Sequence, residues 1–75
     1  MGDISEHLRT RFALTDSEIR VAVVLAEGLS YAEIAERLSL SIHTVHTHLK
    51  EIHRKLGVHS NGRAAALIRK LDSRG

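Results

Sequence analysis

A chain of 75 residues is long enough for one small domain, and at this size the buried core is thin. The lack of cysteine excludes disulfides and thiolate metal sites, and no apolar run approaches a signal peptide or the roughly 20 residues of a membrane span. The net charge of +2 hides an asymmetry, because residues 1–40 carry 4 basic and 7 acidic groups whereas residues 41–75 carry 7 basic and 2 acidic groups. A basic second half indicates either a polyanionic partner or a solvated basic surface.

The composition favours helices. Proline is absent, and the aromatic residues are one Phe and one Tyr, so the hydrophobic 43% of the chain is mainly aliphatic. Helical bundles tolerate such a composition well. A cysteine-free chain also fits a reducing compartment. We therefore expect an all-α protein of the cytoplasm.

The N-terminal segment, residues 1–13, is ambiguous. Ile4, Leu8 and Phe12 are spaced as on one side of a helix, so the segment forms either an extra helical turn or two, or a linker. We expect the remainder, residues 14–75, to be one domain.

A first helix is predicted near residues 15–27. Thr15 and Glu18 form a capping box, in which each side chain accepts a hydrogen bond from the backbone amide of the other residue. Gly28 follows the last periodic apolar residue, as the C-terminal cap of a helix does.

A second, shorter helix is predicted near residues 30–38, where Ser30 and Glu33 repeat the capping box. After a short turn, Ser41 is suited to cap a third helix over residues 42–56.

A fourth helix is predicted near residues 61–71, and residues 72–75 are expected to fray. Its apolar side consists of Ala64, Leu67, Ile68 and Leu71. The predicted fold is therefore an all-α domain of four helices.

The third predicted helix has two contrasting sides. With about 100° between successive residues, one side is apolar and is expected to be buried. It consists of Ile42, Val45, Leu49, Ile52 and Leu56. The opposite side has neither apolar nor acidic residues and consists of His43, His46, Thr47, Lys50 and Arg54. Exposed helical faces usually mix charges of both signs, so this side indicates a binding surface.

The second helix, the turn and the third helix have the order of a helix-turn-helix, whose second helix lies in the major groove of DNA. Lysine and arginine neutralise phosphates or donate to guanine, and threonine hydrogen-bonds a base or places its methyl group against thymine. The free backbone amides from Ser41 to His43 suit a phosphate. We interpret the chain as a sequence-specific, double-stranded DNA-binding domain for transcription regulation.

Several short motifs follow one another along the chain at characteristic spacings. They are Leu14-Thr15-x-x-Glu18, Ala26-Glu27-Gly28-Leu29-Ser30, Glu33-Ile34-Ala35, Ser41-x-x-Thr44-Val45-x-Thr47-His48-Leu49 and Lys55-Leu56-Gly57-Val58-x-Ser60. Together they resemble the C-terminal DNA-binding domain of LuxR-type bacterial transcription regulators, also called GerE- or NarL-like. The resemblance covers residues 14 to about 71.

The resemblance implies which residues read DNA and how the domain assembles. His46, Thr47 and Lys50 are then nearest the base edges, although the family commonly has lysine where His46 stands and arginine where Asn61 stands. A homodimer on DNA is implied, with its contact on the fourth helix at Ala64, Ala65, Leu67 and Ile68. Control by a receiver or ligand-binding domain, as in a response regulator, and RNA polymerase as a further partner are also implied.

We assign contacts with the DNA backbone to residues around the third helix and at the start of the second. They are Ser30, Tyr31, Ser41, His43, Thr44, Arg54 and Lys55. The alternative is a protein-interaction module that has kept this fold and lost specific DNA binding. No nucleophile, base and orienting group stand at a recognisable spacing, so we expect no enzyme activity.

The histidines raise the question of metal binding or pH sensing. His43 and His46 share a helical face, but a zinc site needs three or four ligands, so we expect no metal or other cofactor. With both near phosphates, DNA affinity is expected to rise as the pH falls towards about 6. His48 is expected to be structural, and His53 and His59 to be exposed or to flank the DNA backbone.

Overall fold

A computed structural model of the chain describes residues 2–72, with side chains from residue 4 onward. Every regular element in this part of the chain is an α-helix. The helices are α1 (Gly2–Phe12), α2 (Asp16–Ala26), α3 (Tyr31–Leu38), α4 (Ile42–Leu56) and α5 (Asn61–Asp72). The four predicted helices are confirmed to within one residue at each end, and α1 precedes them. The fraying predicted after residue 72 lies outside the described residues.

Helix α1 makes the ambiguous N-terminal segment part of the fold. Ile4 and Leu8 are buried and Phe12 is half-buried, because α1 packs against α2 and α5. The chain then reverses at Ala13, whose φ of 60° lies in the left-handed region, and the amide of Leu14 donates to the carbonyl of Leu8 at 3.1 Å. The segment thus forms a whole helix, longer than the turn or two that its sequence indicates.

Both predicted capping boxes are present. The Thr15 hydroxyl accepts from the Glu18 amide at 3.2 Å, and Glu18 Oε1 accepts from the Thr15 amide at 3.0 Å. Ser30 and Glu33 make the same reciprocal bonds at 3.2 and 2.8 Å. Gly28, just beyond α2, has a φ of 91°, which a residue without a Cβ adopts at little cost. Local sequence therefore determines where α2 and α3 begin.

The turn between α3 and α4 is closed by backbone hydrogen bonds. Ser39 has a φ of 57° and ends α3, and the amide of Leu40 donates back to the carbonyl of Ala35 at 2.8 Å. Ser41 then caps α4 by accepting from the amide of Thr44 at 3.0 Å. This short connection fixes the direction of α4 relative to α3.

Helix α2 is central, because it contacts each of the other four helices. The buried residues form one apolar cluster to which every helix contributes. Its members are Ile4, Leu8, Leu14, Ile19, Val21, Ala22, Val24, Leu25, Ile34, Ala35, Val45, Leu49, Ile52, Leu56, Ala64 and Ile68. Among the described residues, none of the helices has the length and apolar character needed to cross a lipid bilayer.

The predicted buried side of α4 is confirmed for Val45, Leu49, Ile52 and Leu56, which are at most 7% exposed. It is wrong for Ile42, which is 49% exposed. Ile42 is the first residue of α4, and this end of the helix extends beyond the core. Periodicity gives the side of the helix on which a residue lies, but not how far the core reaches along that side.

Candidate nucleic-acid interface

Residues 43–50 of α4 present four exposed polar side chains, which we call the recognition face: His43, His46, Thr47 and Lys50. On the opposite side of this segment Val45 and Leu49 are buried, because α4 packs against α2 and α3. The four side chains, together with Tyr31 of α3, line a shallow surface groove. The packing of α4 thus determines which of its residues can meet a partner.

The first turn of α4 leaves backbone donors at its open end. The Ser41 hydroxyl accepts from the Thr44 amide at 3.0 Å and donates to Thr44 Oγ1 at 2.9 Å, and the Val45 amide donates to the Ser41 carbonyl at 3.0 Å. The amides of Ile42 and His43 also belong to this turn and need a partner from outside the helix. The helix dipole favours an anion there, and a phosphate fits this requirement.

Thr47 uses its hydroxyl hydrogen within the helix. Thr47 Oγ1 donates to the carbonyl of His43 at 3.1 Å. The side chain can therefore offer an acceptor oxygen and a methyl group without breaking a bond, whereas donation to a base requires that this bond be released. Of the two contacts that its residue type allows, the methyl contact with thymine fits the structure better.

Lys50 in the recognition face and Arg54, one helical turn further along α4, differ in their partners. Lys50 is exposed, and none of the ion pairs among the described residues involves it. Arg54 donates to Glu51 Oε1 through Nη2 at 2.8 Å and Nε at 3.2 Å. This hydrogen bond lowers the pKa of Glu51 and raises the pKa of Arg54. Because both groups are exposed, the pair is weak and a phosphate can compete for Arg54.

Lys55 is held by hydrogen bonds within the fold. Its Nζ donates to Glu18 Oε1 at 2.7 Å and to the carbonyl of Ala13 at 2.9 Å, and its side chain is 17% exposed. These bonds give Lys55 a structural role, and its predicted contact with the DNA backbone stays a prediction. Burial alone raises the pKa of Glu18, but the hydrogen bonds from Lys55 and from the Thr15 amide outweigh it, so the pKa of this carboxyl is lowered.

The start of α3 lies beside the recognition face. The ring of Tyr31 meets the ring of His46 edge to face, with the centroids 4.4 Å apart and an angle of 89° between the planes. Ser30, the cap of α3, is exposed, and its amide is bonded to Glu33. The structure therefore brings Tyr31, one of the predicted backbone contacts, against His46, one of the predicted base contacts.

Asn61, at the start of α5, belongs to the same region and was missed as a site residue by sequence reasoning. Its Nδ2 donates to Tyr31 Oη at 2.7 Å, and its Oδ1 accepts from His53 Nε2 at 2.7 Å. His53 is half-buried, so of its two expected placements the exposed one is wrong, and a place beside the DNA backbone stays a prediction. His48 is half-buried at the edge of the core and His59 is exposed, in agreement with their predictions.

Comparison with known proteins adds the family. Residues 13–68 match the GerE family, described as "Bacterial regulatory proteins, luxR family". The chain belongs to the LuxR family of bacterial regulatory proteins. This membership confirms the predicted helix-turn-helix domain of transcription regulators and the prediction that the domain is not an enzyme.

Among its LuxR-family relatives, the chain is 45% identical over 62 residues to the nitrate/nitrite response regulator protein NarP of Escherichia coli, covering 83% of this chain and 28% of that protein. It is 44% identical over 56 residues to a nitrate/nitrite response regulator homologue of Haemophilus influenzae, covering 75% of this chain and 27% of that protein. The Fimbriae Z protein of Escherichia coli is 41% identical over 56 residues, with coverages of 75% and 27%. The chain spans about a quarter of the length of these relatives, and no solved structure matches it significantly.

Most of the α5 residues predicted to form a dimer contact are buried within this LuxR-family domain. Ala64, Ala65 and Ile68 are 0%, 5% and 2% exposed, because α5 packs on α2 and α4. Their assignment to a dimer interface stays a prediction. Leu67 is half-buried, and the neighbouring Ala66 is exposed.

The LuxR-family recognition face brings two histidines together but no metal site. Among the side chains that the structure describes, no three histidine or carboxylate groups converge in a way that holds a metal ion. His43 and His46 instead lie on the surface next to Lys50, whose positive charge disfavours a bound cation.

Proposed function

We propose that the domain binds specific sequences of double-stranded DNA to regulate transcription, with α4 in the major groove. The observation that carries the proposal is the recognition face, where His43, His46, Thr47 and Lys50 are exposed on one side of α4 with no acidic side chain among them. The excess of 7 basic over 2 acidic groups in residues 41–75 favours approach to a phosphate backbone. The LuxR-family match, and relatives named as response regulators, support the same function.

His46, Thr47 and Lys50 are the proposed base-reading residues. They lie within the first nine residues of α4, and the N-terminal part of a recognition helix is the part that reaches base edges. Lys50 suits the acceptors of guanine, and the methyl group of Thr47 suits thymine because its hydroxyl hydrogen is already donated to His43.

Contacts with phosphates hold the helix in register. The amides of Ile42 and His43, the hydroxyl of Ser30 and the hydroxyl of Tyr31 are the proposed donors, and the Ser41 and Thr44 side chains support the first of these as the cap of α4. Arg54 is a proposed phosphate contact, in which its bond with Glu51 is replaced by a bond with a phosphate of the DNA. Such contacts position a protein on DNA and leave sequence to the base readers.

A homodimer on DNA, with its contact on α5, is part of the proposal. The exposed side of α5 includes Gly62, Arg63 and Ala66, with Leu67 half-buried at its edge. Small residues there let two helices approach closely. We expect a monomer in free solution and two copies on a palindromic site, which sedimentation with and without DNA measures. A tight dimer without DNA overturns this expectation.

The rest of the regulator is inferred from relatives that are several times longer than this chain. We propose that a receiver or ligand-binding domain controls the whole protein, as in the response regulators to which the chain is similar. Contact with RNA polymerase and a place in the bacterial cytoplasm, where the DNA lies, belong to the same proposal.

The proposed DNA binding is tested most broadly by selecting bound sequences from a random DNA pool. We expect a reproducible consensus, and an unenriched pool contradicts sequence-specific binding. Affinity for the selected site should then be measured between about 50 and 200 mM salt, a range over which phosphate contacts weaken binding steeply through counterion release. A flat salt profile favours the alternative, a protein-interaction module of the same fold.

The dependence on pH expected for His43 and His46 stays a prediction. Histidine changes its charge between pH 5 and 8, and a charged imidazole on the recognition face adds attraction to phosphate. We expect affinity for the selected site to rise from pH 8 to pH 6 at fixed salt. A variant with both histidines replaced by glutamine should show a flatter profile, and equal slopes for the two proteins contradict the prediction.

A further inference from the structure

We propose that Asn61 is a positioning residue for DNA reading: through the Tyr31 ring it holds His46 in one orientation on the recognition face. The inference rests on the proposed function and adds a specificity-determining residue from α5, a helix that carries none of the proposed base readers. Its basis is a continuous series of contacts from Asn61 to Tyr31 and from Tyr31 to His46.

The Asn61 amide is fixed at both of its ends. Because an amide oxygen can only accept, the 2.7 Å contact between Asn61 Oδ1 and His53 Nε2 means that His53 donates. Asn61 Nδ2 donates to Tyr31 Oη, also at 2.7 Å, and all three residues are half-buried. Three helices, α3, α4 and α5, thus meet at one side chain.

The role of Asn61 is separate from starting α5. The cap of α5 is Ser60, whose hydroxyl accepts from the Arg63 amide at 3.2 Å, and the Ala64 amide donates to the Ser60 carbonyl at 3.0 Å. The side chain of Asn61 makes neither bond. Since the helix begins without it, its two hydrogen bonds act on α3 and α4.

Anchoring the Tyr31 hydroxyl fixes the plane of its ring. The ring then packs against His46, with a centroid distance of 4.4 Å and the perpendicular geometry that aromatic pairs prefer. His46 is otherwise exposed on the surface of α4, where a side chain without a neighbour samples several rotamers. A base-reading side chain that is already oriented loses less entropy when it binds.

The same hydrogen bond determines what the Tyr31 hydroxyl can do. Its oxygen accepts from Asn61, so its own hydrogen remains available to a second acceptor. A phosphate oxygen next to α3 is such an acceptor. Asn61 therefore orients a base reader and a phosphate donor through one ring.

The test compares Asn61→Ala with Ser60→Ala, which removes the cap of α5 but leaves both bonds of Asn61. The readout is the ratio of affinities for the selected site and for the same site altered at the base pair that His46 contacts. We expect Asn61→Ala to lower this ratio about three- to tenfold, the range for freeing one side chain. Affinity for random DNA should fall by a smaller factor, because the Tyr31 hydroxyl is no longer oriented towards a phosphate. We expect Ser60→Ala to leave the ratio unchanged.

A second background separates positioning from a general structural effect. In a His46→Ala domain, Asn61→Ala should have no further effect on the ratio, because the residue it positions is gone. Tyr31→Phe keeps the ring and removes only its hydroxyl, so it should lower the ratio as Asn61→Ala does. It takes the place of Asn61→Ala in the test if Asn61→Ala folds poorly. An equal loss with and without His46, or an unchanged ratio in both Asn61→Ala and Tyr31→Phe, overturns the proposal.

A measurement without DNA distinguishes failure of the positioning role from failure of the proposed function. In the DNA-free protein, NMR couplings and ring-to-ring contacts should show one rotamer of His46, and Asn61→Ala should produce averaging among rotamers. Averaging in the unmodified protein overturns the positioning role even if DNA binding is specific. A single rotamer that Asn61→Ala releases, in a protein that selects no DNA sequence, supports the positioning and overturns the DNA-reading function.

Discussion

The basic residues of α4 are similar in type, but they are used differently along the helix. Within residues 42–50, Lys50 is exposed, and no acidic group pairs with it among the described residues. Within residues 51–56, Arg54 is paired with Glu51, and Lys55 is held by Glu18 and the Ala13 carbonyl. The number of basic residues on a helix therefore does not define its binding surface. The binding surface is defined by which of these basic residues the fold pairs with acidic groups and which it does not.

Ile52 and Leu56 anchor the C-terminal end of α4 in the core, and the largest expected effect follows from this. Ile52 is fully buried, so Ile52→Ala should lower the free energy of unfolding by about 2–5 kcal/mol, the cost of lost burial and a cavity. Urea denaturation measures it. The matched control is Ile42→Ala at the other end of the helix, where the side chain is 49% exposed and the expected change is within about 0.5 kcal/mol. Similar losses for both variants contradict the division of α4.

Lys55 tests whether a basic residue of α4 can be structural. Lys55→Met should lower the free energy of unfolding by about 1–3 kcal/mol, because it leaves the buried Glu18 carboxylate without its charged donor. The change should also release the Ala13 carbonyl at the reversal between α1 and α2. The slope of DNA affinity against salt should stay the same if Nζ of Lys55 keeps its bonds within the fold when DNA binds. A reduced slope with unchanged stability returns Lys55 to the DNA interface.

Ser41 tests the open end of α4. Ser41→Ala removes the acceptor for the Thr44 amide, so the free energy of unfolding should fall by about 1 kcal/mol. DNA affinity should fall as well, because the first turn also presents amides to phosphate. Ser60→Ala, which removes a similar cap from α5, is the control and should change stability alone. A Ser41→Ala domain with full DNA affinity excludes a phosphate at this end of α4.

The smallest expected effect concerns pH. The pKa of Glu18 in the fold is lower than its ordinary value of 4.5, so its ionised form stabilises the native state. This contribution is complete above about pH 4.5 and is lost as the pH falls through the lowered pKa. Thermal unfolding between pH 3 and 7 should therefore show less dependence on pH for Glu18→Gln than for the unmodified domain. Parallel curves show that Glu18 contributes nothing to this dependence.

The helices were predictable because their signals are local. Each capping box places its two partners three residues apart, and the structure contains both boxes as predicted. Helix α1 was less predictable, because Ile4 and Leu8 are buried only where α2 and α5 provide a surface. The exposure of Ile42 likewise depends on where the core ends, which helical periodicity does not contain.

The recognition face was predictable as a set of residues, but the partners of these residues were not. Lys55 meets Glu18 across 37 positions, and Asn61 meets Tyr31 across 30 positions. No local pattern encodes such pairs. The alanines of α5 show the same limit, because a small residue suits a dimer interface and a tightly packed core equally well, and no local pattern shows that α2 buries Ala64 and Ala65.

The most direct test of the central claim, that residues 42–50 of α4 read DNA sequence, is the affinity of Lys50→Ala for the selected site and for random DNA. The prediction is a loss of about 1–3 kcal/mol on the selected site and a much smaller loss on random DNA, with unchanged stability. An equal loss on both DNAs contradicts base reading by Lys50 and makes it a phosphate contact.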